Sequence, residues 1–552
     1  MSSHNKRSRL VLALGAVGAS ALILAGCTTS STGGNTSPTD GASGGSESSG
    51  SDIVVGTTDK ITKLDPAGSY DNGSFAVMNQ VYPFLMNSVY GTAEVTPDIA
   101  ESAEFTSPTE YTVKLKAGLK FANGNDLTSS DVKFSFDRIV KIADANGPAS
   151  LLGNLDSIAT PDDTTVVFTL KNGNDQIWPL ILSSPAGPIV DEEVFSADAL
   201  TDDQAIVDGH AFAGQYDISS YKFNELVQYK PFEGYQGNLG KPDNNGVTVK
   251  YYADASNLKL DIGKNAIDVA FRSLSATDVD DLSKNDKVKV VDGPGGEIRY
   301  IVFNFDTMPF GAKAEGADPA KALAVRQAMA SLVDREALAT DVYKDTYSPL
   351  YSFVADGMPG ATEPLKKLYG DGNGGPSLDK AKEILTAAGV TTPVTLNLQY
   401  NGDHYGPSSG DEYAAVKTQL EEGGLFTVNL QQTEWVQYAE DRSADVYPMY
   451  QLGWFPDYSD PDNYLSPFFT ADNFLNNHYN NTEVQQLITT EQTETDSAKR
   501  LEEIGKIQDL VAADLSTLPL LQGKQVAIVG TNVDGTTLDA SFKFRYGPLT
   551  KK

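Results

Sequence analysis

The chain has 552 residues, too many for a single hydrophobic core, so two or three domains are expected. Hydrophobic residues make up 40% and charged residues 21% of the sequence, which is typical of a globular protein and excludes a disordered chain. Acidic residues outnumber basic residues 74 to 42, and the net charge of −32 argues against nucleic acid as a partner. Such a charge favours cationic or zwitterionic ligands, although acidic surfaces are also common for solubility alone.

Residues 1–26 have the layout of a secretory signal. Lys6, Arg7 and Arg9 precede an apolar run that ends at Leu24 and is short for a membrane-spanning helix. The run closes in Leu24-Ala25-Gly26-Cys27, which resembles the bacterial lipobox and implies that the cysteine sulfur is acylated before cleavage makes this residue the new N-terminus. Losing three basic residues would take the net charge from −32 to −35. The alternative is a plain signal peptide or an uncleaved anchor.

Cys27 is the only cysteine, so a disulfide or a thiolate metal cluster within one chain is excluded. From there to residue 51 the sequence is almost wholly Thr, Ser, Gly, Asn, Asp and Pro. This composition cannot bury apolar surface, so residues 27–51 are predicted to form a flexible tether. No later segment is apolar enough to span a bilayer.

From residue 52 onward, strand-like and helix-like segments alternate without an obvious repeat, which predicts an α/β or mixed α+β fold. A two-residue period typical of half-buried strands appears twice, in Tyr111, Val113 and Leu115 and again in Val166, Phe168 and Leu170. Residues 300–303 form a continuous apolar run after Gly295-Gly296, which predicts a strand buried on both faces. Such a strand could cross between domains.

Two helices are indicated by their start and stop signals. Asp318 and Pro319 are a cap and a first-turn proline, and the apolar positions that follow to Val333 predict a helix with one face packed inward. Ser377 caps a second helix, Gly389 ends it, and a strand follows at 394–398. The apolar stripe of this second helix comprises Leu378, Ala381, Ile384, Leu385 and Ala388.

Four groups of motifs follow one another in a recognisable order. They are Leu64-Asp65-Pro66-Ala67, then residues 111–136, then Val325-Arg326-Gln327-Ala328 to Asp334-Arg335, and finally Gly453-Trp454-Phe455-Pro456-Asp457 to Tyr464. The set resembles the family 5 extracellular solute-binding proteins of bacteria, and residues 111–136 are its most specific part. The resemblance extends from about residue 53 to residue 552.

This resemblance implies a periplasmic-binding-protein-like α/β fold of class II, in which two lobes enclose a ligand and one lobe carries an additional small domain. The implied boundaries are 1–26 for the signal peptide, 27–51 for the tether, 52–90 with 215–303 and 525–552 for lobe I, 91–214 for the small domain, and 304–524 for lobe II.

The resemblance also implies a role for Asp457, which occupies the position where peptide-binding members hold the α-amino group of the ligand. Removing an ammonium from water costs several kcal/mol unless a carboxylate replaces its hydration. The alternative is a solvated aspartate in a loop that also contains Asp460-Pro461-Asp462, a plausible turn.

Aromatic residues are the next candidates. Trp454 and Trp435 are two of only three tryptophans and match family positions near ligand side chains, with core packing as the alternative for each. Trp178 is assigned to the core of the small domain. The remaining ligand-binding candidates are Gln451, Phe455, and Asn72 and Ser74 in the loop Asp71–Ser74, for which an ordinary turn is the favoured interpretation.

Other chemistries have less support. Gly406-Pro407-Ser408-Ser409-Gly410 matches the G-x-S-x-G nucleophile motif formally, with His478 as an imaginable base, but it lies several residues beyond a strand in a polar loop. The four histidines are scattered without ligand spacing, and the acidic loop lacks calcium-loop spacing. No enzyme activity, cofactor or metal is therefore expected.

These inferences predict a lipid-anchored monomer on the extracellular face of the bacterial cytoplasmic membrane. It would enclose a di- or oligopeptide between its lobes and deliver it to an ABC permease, with Cys27 carrying the anchor. An oligosaccharide is the nearest alternative ligand, since members of this family also take sugars, and nickel or another small cation comes third. An enzyme or a purely structural wall protein is the last alternative.

Overall fold

The structure is a computed structural model that describes residues 52–552 apart from Ser273, Asp403, Pro407 and Asp472. The predicted signal peptide, Cys27 and the tether lie outside the described residues. Within the described ranges, none of the helices combines the length and apolarity that crossing a bilayer demands.

Strands occur along the whole of the described chain. In chain order they are β1 (Ile53–Thr57), β2 (Met86–Ser88), β3 (Val95–Pro97), β4 (Ala100–Ser107), β5 (Glu110–Leu115), β6 (Leu155–Asp162), β7 (Thr165–Leu170), β8 (Tyr216–Lys222), β9 (Leu226–Pro231), β10 (Val247–Tyr251), β11 (Val269–Phe271), β12 (Val288–Phe303), β13 (Tyr347–Pro349), β14 (Val394–Asn401), β15 (Phe426–Thr433), β16 (Met449–Trp454), β17 (Thr517–Gly530), β18 (Val533–Asp534) and β19 (Thr550–Lys551).

Helices are interspersed among the strands, which confirms the mixed α/β prediction. They are α1 (Asn72–Val81), α2 (Ser129–Ile142), α3 (Trp178–Ile181), α4 (Asp203–Asp208), α5 (Ala255–Gly263), α6 (Ala276–Ser283), α7 (Pro319–Leu332), α8 (Arg335–Ala337), α9 (Pro364–Leu368), α10 (Leu378–Ala387), α11 (Ser409–Glu421), α12 (Trp435–Ser443), α13 (Ser466–Phe469), α14 (Thr482–Glu491) and α15 (Ser497–Asp514).

One large mixed sheet forms the centre of the fold, in the order β15-β14-β16-β12-β17-β11-β1-β10-β9-β8. The antiparallel pair β12 and β17 lies in the middle, and these strands have 16 and 14 residues. β12 pairs with β16 through Ile298–Phe303, whereas β17 pairs with β11 through Ala527–Val529. The central pair therefore joins the two sides of the sheet. Residues 300–303 are buried in β12, which confirms the predicted buried strand.

The pairing of β12 with β17 is interrupted between Gly293 and Glu297, where the register shifts. A Cβ atom on Gly295 would lie 1.4 Å from the carbonyl oxygen of Gly523. Only glycine permits this close backbone approach, which explains why the sequence has a glycine pair here.

A separate antiparallel sheet, β4-β5-β7-β6, packs against α2. Its strands confirm the alternation predicted from sequence, because Tyr111, Val113 and Leu115 of β5 are buried between exposed or half-buried neighbours. β7 likewise buries Val166, Phe168 and Leu170. Trp178 is fully buried in the same cluster, 5.3 Å from the ring of Phe168, as expected.

The two predicted helices form with the predicted caps, but their buried faces differ from expectation. Asp318 accepts hydrogen bonds from the first turn of α7, and Ser377 does so for α10. The expectation of one inward face on α7 is wrong, because Ala324, Arg326 and Ala330 are buried as well. α10 packs on α7, and Arg326 donates to the carbonyl oxygen of Asp514 at the end of α15, so α7 has more than one neighbouring helix. On α10, Leu378 is exposed, contrary to the predicted stripe.

The aspartate of the Leu64–Ala67 motif is a structural residue. Asp65 is fully buried, and its two oxygens accept bonds of 2.7 and 2.9 Å from the guanidinium of Arg138 on α2. It also accepts from the backbone N–H groups of Ala67 and Thr201. The carboxylate thus anchors the small sheet unit to the segment that precedes α1.

Asp65→Asn should destabilise the protein by about 3–5 kcal/mol, because it leaves the buried charge of Arg138 without its counter-ion. Urea unfolding followed by tryptophan fluorescence tests this, since Trp178 lies in the adjacent cluster. The matched control is Asp137→Asn, which breaks an exposed pair with Lys133 and should cost at most about 0.5 kcal/mol. Equal effects of the two variants would contradict the assignment.

Candidate ligand-binding site

A cleft with a volume of about 1730 Å³ lies where β11, β16 and the first turn of α1 meet. It exceeds the range of about 300–1,000 Å³ that is common for small-molecule sites. Residues from both sides of the central strand pair line it, among them Arg272 after β11 and Asp457 after β16. The cleft is therefore large enough for a ligand bigger than those that common small-molecule sites hold.

The loop that follows β16 supplies much of one wall. β16 is buried through Gly453, and the chain then leaves the sheet at Trp454. Asp460 caps the short helix Pro461–Tyr464 and is held by the guanidinium of Arg500 through bonds of 2.8 and 2.6 Å. Because the contact between Asp460 and Arg500 attaches the loop to α15, the side chains of the loop that face the cleft are preorganised.

Asp457 is held by neutral donors. Its Oδ1 accepts a short hydrogen bond from the hydroxyl of Tyr70, and its Oδ2 accepts from Nδ2 of Asn463 at 3.2 Å. Oδ1 of Asn463 in turn accepts from the backbone N–H of Asp457 at 2.8 Å and from Nε1 of Trp454 at 3.0 Å. Among the described residues, no lysine, arginine or histidine forms an ion pair with Asp457.

The half-buried position of Asp457 changes its acidity. Burial raises its pKa to about 6, and the hydrogen bonds from Tyr70 and Asn463 offset part of this rise. A carboxylate with this environment carries a charge at neutral pH that the surrounding protein does not neutralise. It is therefore suited to attract a cationic group.

Several of the predicted ligand-binding residues line the cleft. They are Asp457, Trp454, Trp435, Phe455 and Asn72. Trp435 stacks on His404 with ring centroids 3.7 Å apart, and Trp454 packs edge-on against Phe468 at 5.1 Å. Both tryptophans are half-buried, so each combines packing with a face on the cleft.

Two further candidates are placed elsewhere. Gln451 is buried, accepts from the backbone N–H of Asn401 and donates to Ser409, and Ser74 is buried beneath the backbone of Thr62. Neither lines the cleft. The favoured turn at Asp71–Ser74 is wrong, because Asp71 caps α1 and Asn72 begins the helix.

Three residues that shape the site have no role predicted from the sequence: Tyr70, Asn463 and Arg272. Tyr70 lies 387 positions from Asp457, so no local pattern could reveal their hydrogen bond. Asn463 stands within the motif that carried the resemblance, and its spacing of six residues from Asp457 was the available signal. Arg272 carried no sequence signal.

The G-x-S-x-G segment and His478 do not come together as a catalytic pair in the described part of the chain. Ser408 lies on the cleft immediately before α11. His478 instead contacts Asp445 at 2.7 Å and Asp306 at 3.5 Å, and Lys313 already forms an ion pair with Asp306. Tertiary folding thus places His478 between two carboxylates, those of Asp306 and Asp445.

Comparisons with known proteins agree with this architecture. Residues 94–476 match the model of the bacterial extracellular solute-binding proteins, family 5 Middle. A probable D,D-dipeptide-binding periplasmic protein, DdpA of Escherichia coli strain K12, is 24% identical over 495 residues, covering 88% of this chain and 90% of that protein.

Two solved structures share the fold. The ABC transporter substrate-binding protein CtaP of Listeria monocytogenes superposes with a TM-score of 0.76 at 23% identity, covering 91% of this chain and 99% of that one. A dipeptide-binding protein of Pseudoalteromonas sp. SM9913 in complex with Met-Leu gives a TM-score of 0.72 at 20% identity, covering 91% and 100%. The predicted two-lobed periplasmic-binding-protein fold is therefore confirmed.

Tyr70→Phe should raise the pKa of Asp457 by about one unit, because the lost hydroxyl stabilises the ionised carboxylate. Carbon-detected NMR titration of the carboxyl groups measures this, with Asp457→Asn to assign the signal. Tyr400→Phe is the matched control, since that hydroxyl bonds Gln432. An unchanged titration in Tyr70→Phe would show that the contact does not form in solution.

Proposed function

The chain belongs to the bacterial extracellular solute-binding proteins of family 5, and on this premise we propose that it captures di- or oligopeptides for an ABC importer. The observation that carries the proposal is Asp457, a half-buried carboxylate on the cleft that has neutral donors and no cationic partner among the described residues. A peptide brings a terminal ammonium, the group that such a carboxylate binds through charge-assisted hydrogen bonds.

The rest of the cleft supports a peptide with varied side chains. Trp435, Trp454 and Phe455 offer flat apolar surfaces, which cover many groups without demanding one sequence. The volume of about 1730 Å³ admits more than a single amino acid. No chemical step on the ligand is part of this proposal.

Closure of two lobes on the ligand is the proposed binding motion. The proposed lobe I comprises 52–90, 215–303 and 525–552, lobe II comprises 304–524, and the small domain comprises 91–214. The hydrophobic clusters support this division, since one cluster draws its buried residues almost wholly from 308–521 and another almost wholly from 85–213. In the remaining steps of the proposal, an anchor on Cys27 holds the protein at the extracellular face of the membrane, and the closed monomer docks on the permease.

An oligosaccharide is the second candidate ligand, because Trp435 and Trp454 also suit the faces of sugar rings. A neutral sugar leaves the charge of Asp457 uncompensated on closure, which costs free energy. Peptide is favoured on that ground.

Asp457→Asn should weaken the binding of peptides with a free amino terminus by about tenfold or more, because the charge-assisted bond is lost. The measurement is native mass spectrometry with a pool of di-, tri-, tetra- and pentapeptides, followed by isothermal titration of the peptides retained. N-acetylation of those peptides should weaken binding to the unaltered protein to a similar extent.

Asp71→Asn provides the matched control, since Asp71 also lines the cleft and asparagine keeps the cap of α1. It should leave affinity within about twofold. Equal affinity for free and acetylated peptides would falsify the role of Asp457. Retention of neutral sugars instead of peptides would show that the ligand is an oligosaccharide.

Peptide affinity should also depend on pH. Only the ionised carboxylate attracts an ammonium, so the interaction is present above the pKa of about 6 and is lost as the pH falls through it. Isothermal titration between pH 7.5 and pH 5 should show a fall of about tenfold per unit below the pKa. Asp457→Asn should bind peptides weakly at every pH. If the affinity of that variant still depended on pH, a group other than Asp457 would be responsible for the pH dependence.

A further inference from the structure

A cluster of three carboxyl groups lies behind the loop that carries Asp457. Glu491 at the end of α14 is fully buried, Asp462 in the short helix Pro461–Tyr464 is buried as well, and Asp460 is buried beside them. Arg500 on α15 is the only cation among the described residues that forms an ion pair with this cluster. Three acids thus share a single positive charge.

Asp462 is surrounded by neutral donors. Its Oδ1 accepts a bond from Nε2 of Gln492 at 3.0 Å, and its Oδ2 accepts from the hydroxyl groups of Ser466 at 3.0 Å and Tyr458 at 3.1 Å. Burial raises the pKa of Asp462, and the bonds from Ser466 and Gln492 act in the opposite direction because they stabilise its ionised form. The surroundings of Asp462 therefore suit a carboxylate.

Glu491 has a different environment. Its Oε2 accepts a bond of 2.9 Å from Nε of Arg500, but the two terminal nitrogens of that guanidinium are bonded to Asp460. Its Oε1 accepts from no donor of the described residues, although the side chain is fully buried. The carboxyl groups of Glu491 and Asp462 lie within hydrogen-bonding distance of each other. Two carboxylates have no proton to donate, so this contact requires that one of the groups is protonated.

The electrostatics of the cluster lead to the same conclusion. Burial raises the pKa of Glu491, the charge of Asp462 and the hydrogen bond to it raise the pKa further, and Arg500 offsets part of this rise. Asp460 adds a second negative charge that acts in the same direction. Two like charges in contact are costly where the dielectric is low, so the pair of Glu491 and Asp462 retains one proton at neutral pH.

This proton bears on the ligand site through the short helix that contains Asp462. Asn463 is the next residue of that helix. Its Oδ1 accepts from the backbone N–H of Asp457, and its Nδ2 donates to Oδ2 of the same residue. A negative charge on Glu491 would repel Asp462 and displace the helix, and the two bonds that orient Asp457 would be lost with it.

We propose that Glu491 is a positioning residue for the ligand site: as a neutral acid it donates a hydrogen bond to Asp462 and so holds the short helix whose Asn463 orients the ligand-binding carboxylate. This deepens the function proposed above and rests on it, because that carboxylate, Asp457, is assigned to the ammonium of a peptide. Glu491 itself does not line the cleft, so it acts only through the short helix.

The proton can be measured directly by NMR on the whole protein. Glutamate labelled with ¹³C at its carboxyl carbon is followed between pH 4 and pH 9, and Glu491→Gln identifies the signal. The carboxyl carbon of Glu491 should keep the chemical shift of a protonated acid at pH 7, well above the ordinary pKa of 4.5. Titration near that ordinary value would overturn the proposal.

Variants of Glu491 connect the proton to ligand binding. Glu491→Gln keeps a neutral donor for Asp462 and an acceptor for Arg500, so peptide affinity at pH 7 should stay within about threefold. Glu491→Met fills a similar volume without a donor and should weaken peptide binding by about tenfold. The measurement is isothermal titration with the peptides that native mass spectrometry retains from the pool described above. Glu483→Gln is the matched control, since Glu483 is an exposed glutamate of the same helix.

The acidity of Asp457 reports the positioning itself. The hydrogen bond from Asn463 lowers the pKa of Asp457, which burial raises to about 6. In Glu491→Met this bond should be lost and the pKa should rise, whereas Glu491→Gln and Glu483→Gln should leave it unchanged. Carboxyl NMR titration measures this shift independently of any ligand.

A proton on Glu491 at pH 7, with affinity kept in Glu491→Gln and lowered in Glu491→Met, supports the positioning role. Equal affinities of these two variants, or a loss of affinity in Glu491→Gln, overturn it and leave the peptide function standing. If no peptide is retained even by the unaltered protein, the proposed function fails and the positioning role fails with it. Thermal melting checks that each variant folds, and if Glu491→Met does not, the titration and Glu491→Gln decide the outcome by themselves.

Discussion

The antiparallel pairing of β12 with β17 is the interaction on which the rest of the structure depends. These two long strands lie in the middle of the large sheet, and each pairs with a strand of a different side. β16 flanks β12 and releases the loop with Asp457, whereas β11 flanks β17 and ends immediately before Arg272. One backbone ladder thus positions two oppositely charged groups around a common cleft.

The electrostatics of the cleft follow from what the protein leaves uncompensated. Asp457 has hydrogen-bond donors but no cationic partner among the described residues. Two buried carboxylates elsewhere in the chain are paired with a cation instead, Asp65 with Arg138 and Asp460 with Arg500. An unpaired charge in a partly enclosed site costs stability, and a ligand of complementary charge recovers that free energy on binding.

Local sequence patterns correctly predicted features that depend only on neighbouring residues, such as which side chains of a strand are buried and where a helix begins. Burial in β5 and β7 follows the predicted alternation of apolar and polar side chains. The caps of α7 and α10 form at Asp318 and Ser377. The pattern failed for α7, which is buried on more than one side because both α10 and the end of α15 contact it. It also failed at Asp71–Ser74, because an Asp-Asn-Gly sequence suits a turn and the start of a capped helix equally well.

By itself, the sequence determined the mixed α/β class, the family resemblance, and Asp457 as the residue to test, the last through a motif rather than through any periodicity. Tertiary structure alone decided which candidates reach the cleft, turning Gln451 and Ser74 inward while bringing in Tyr70, Asn463 and Arg272. The physical reason is that strand and helix periods act over a few residues. The contacts that define this site join segments brought together only when β12 and β17 pair.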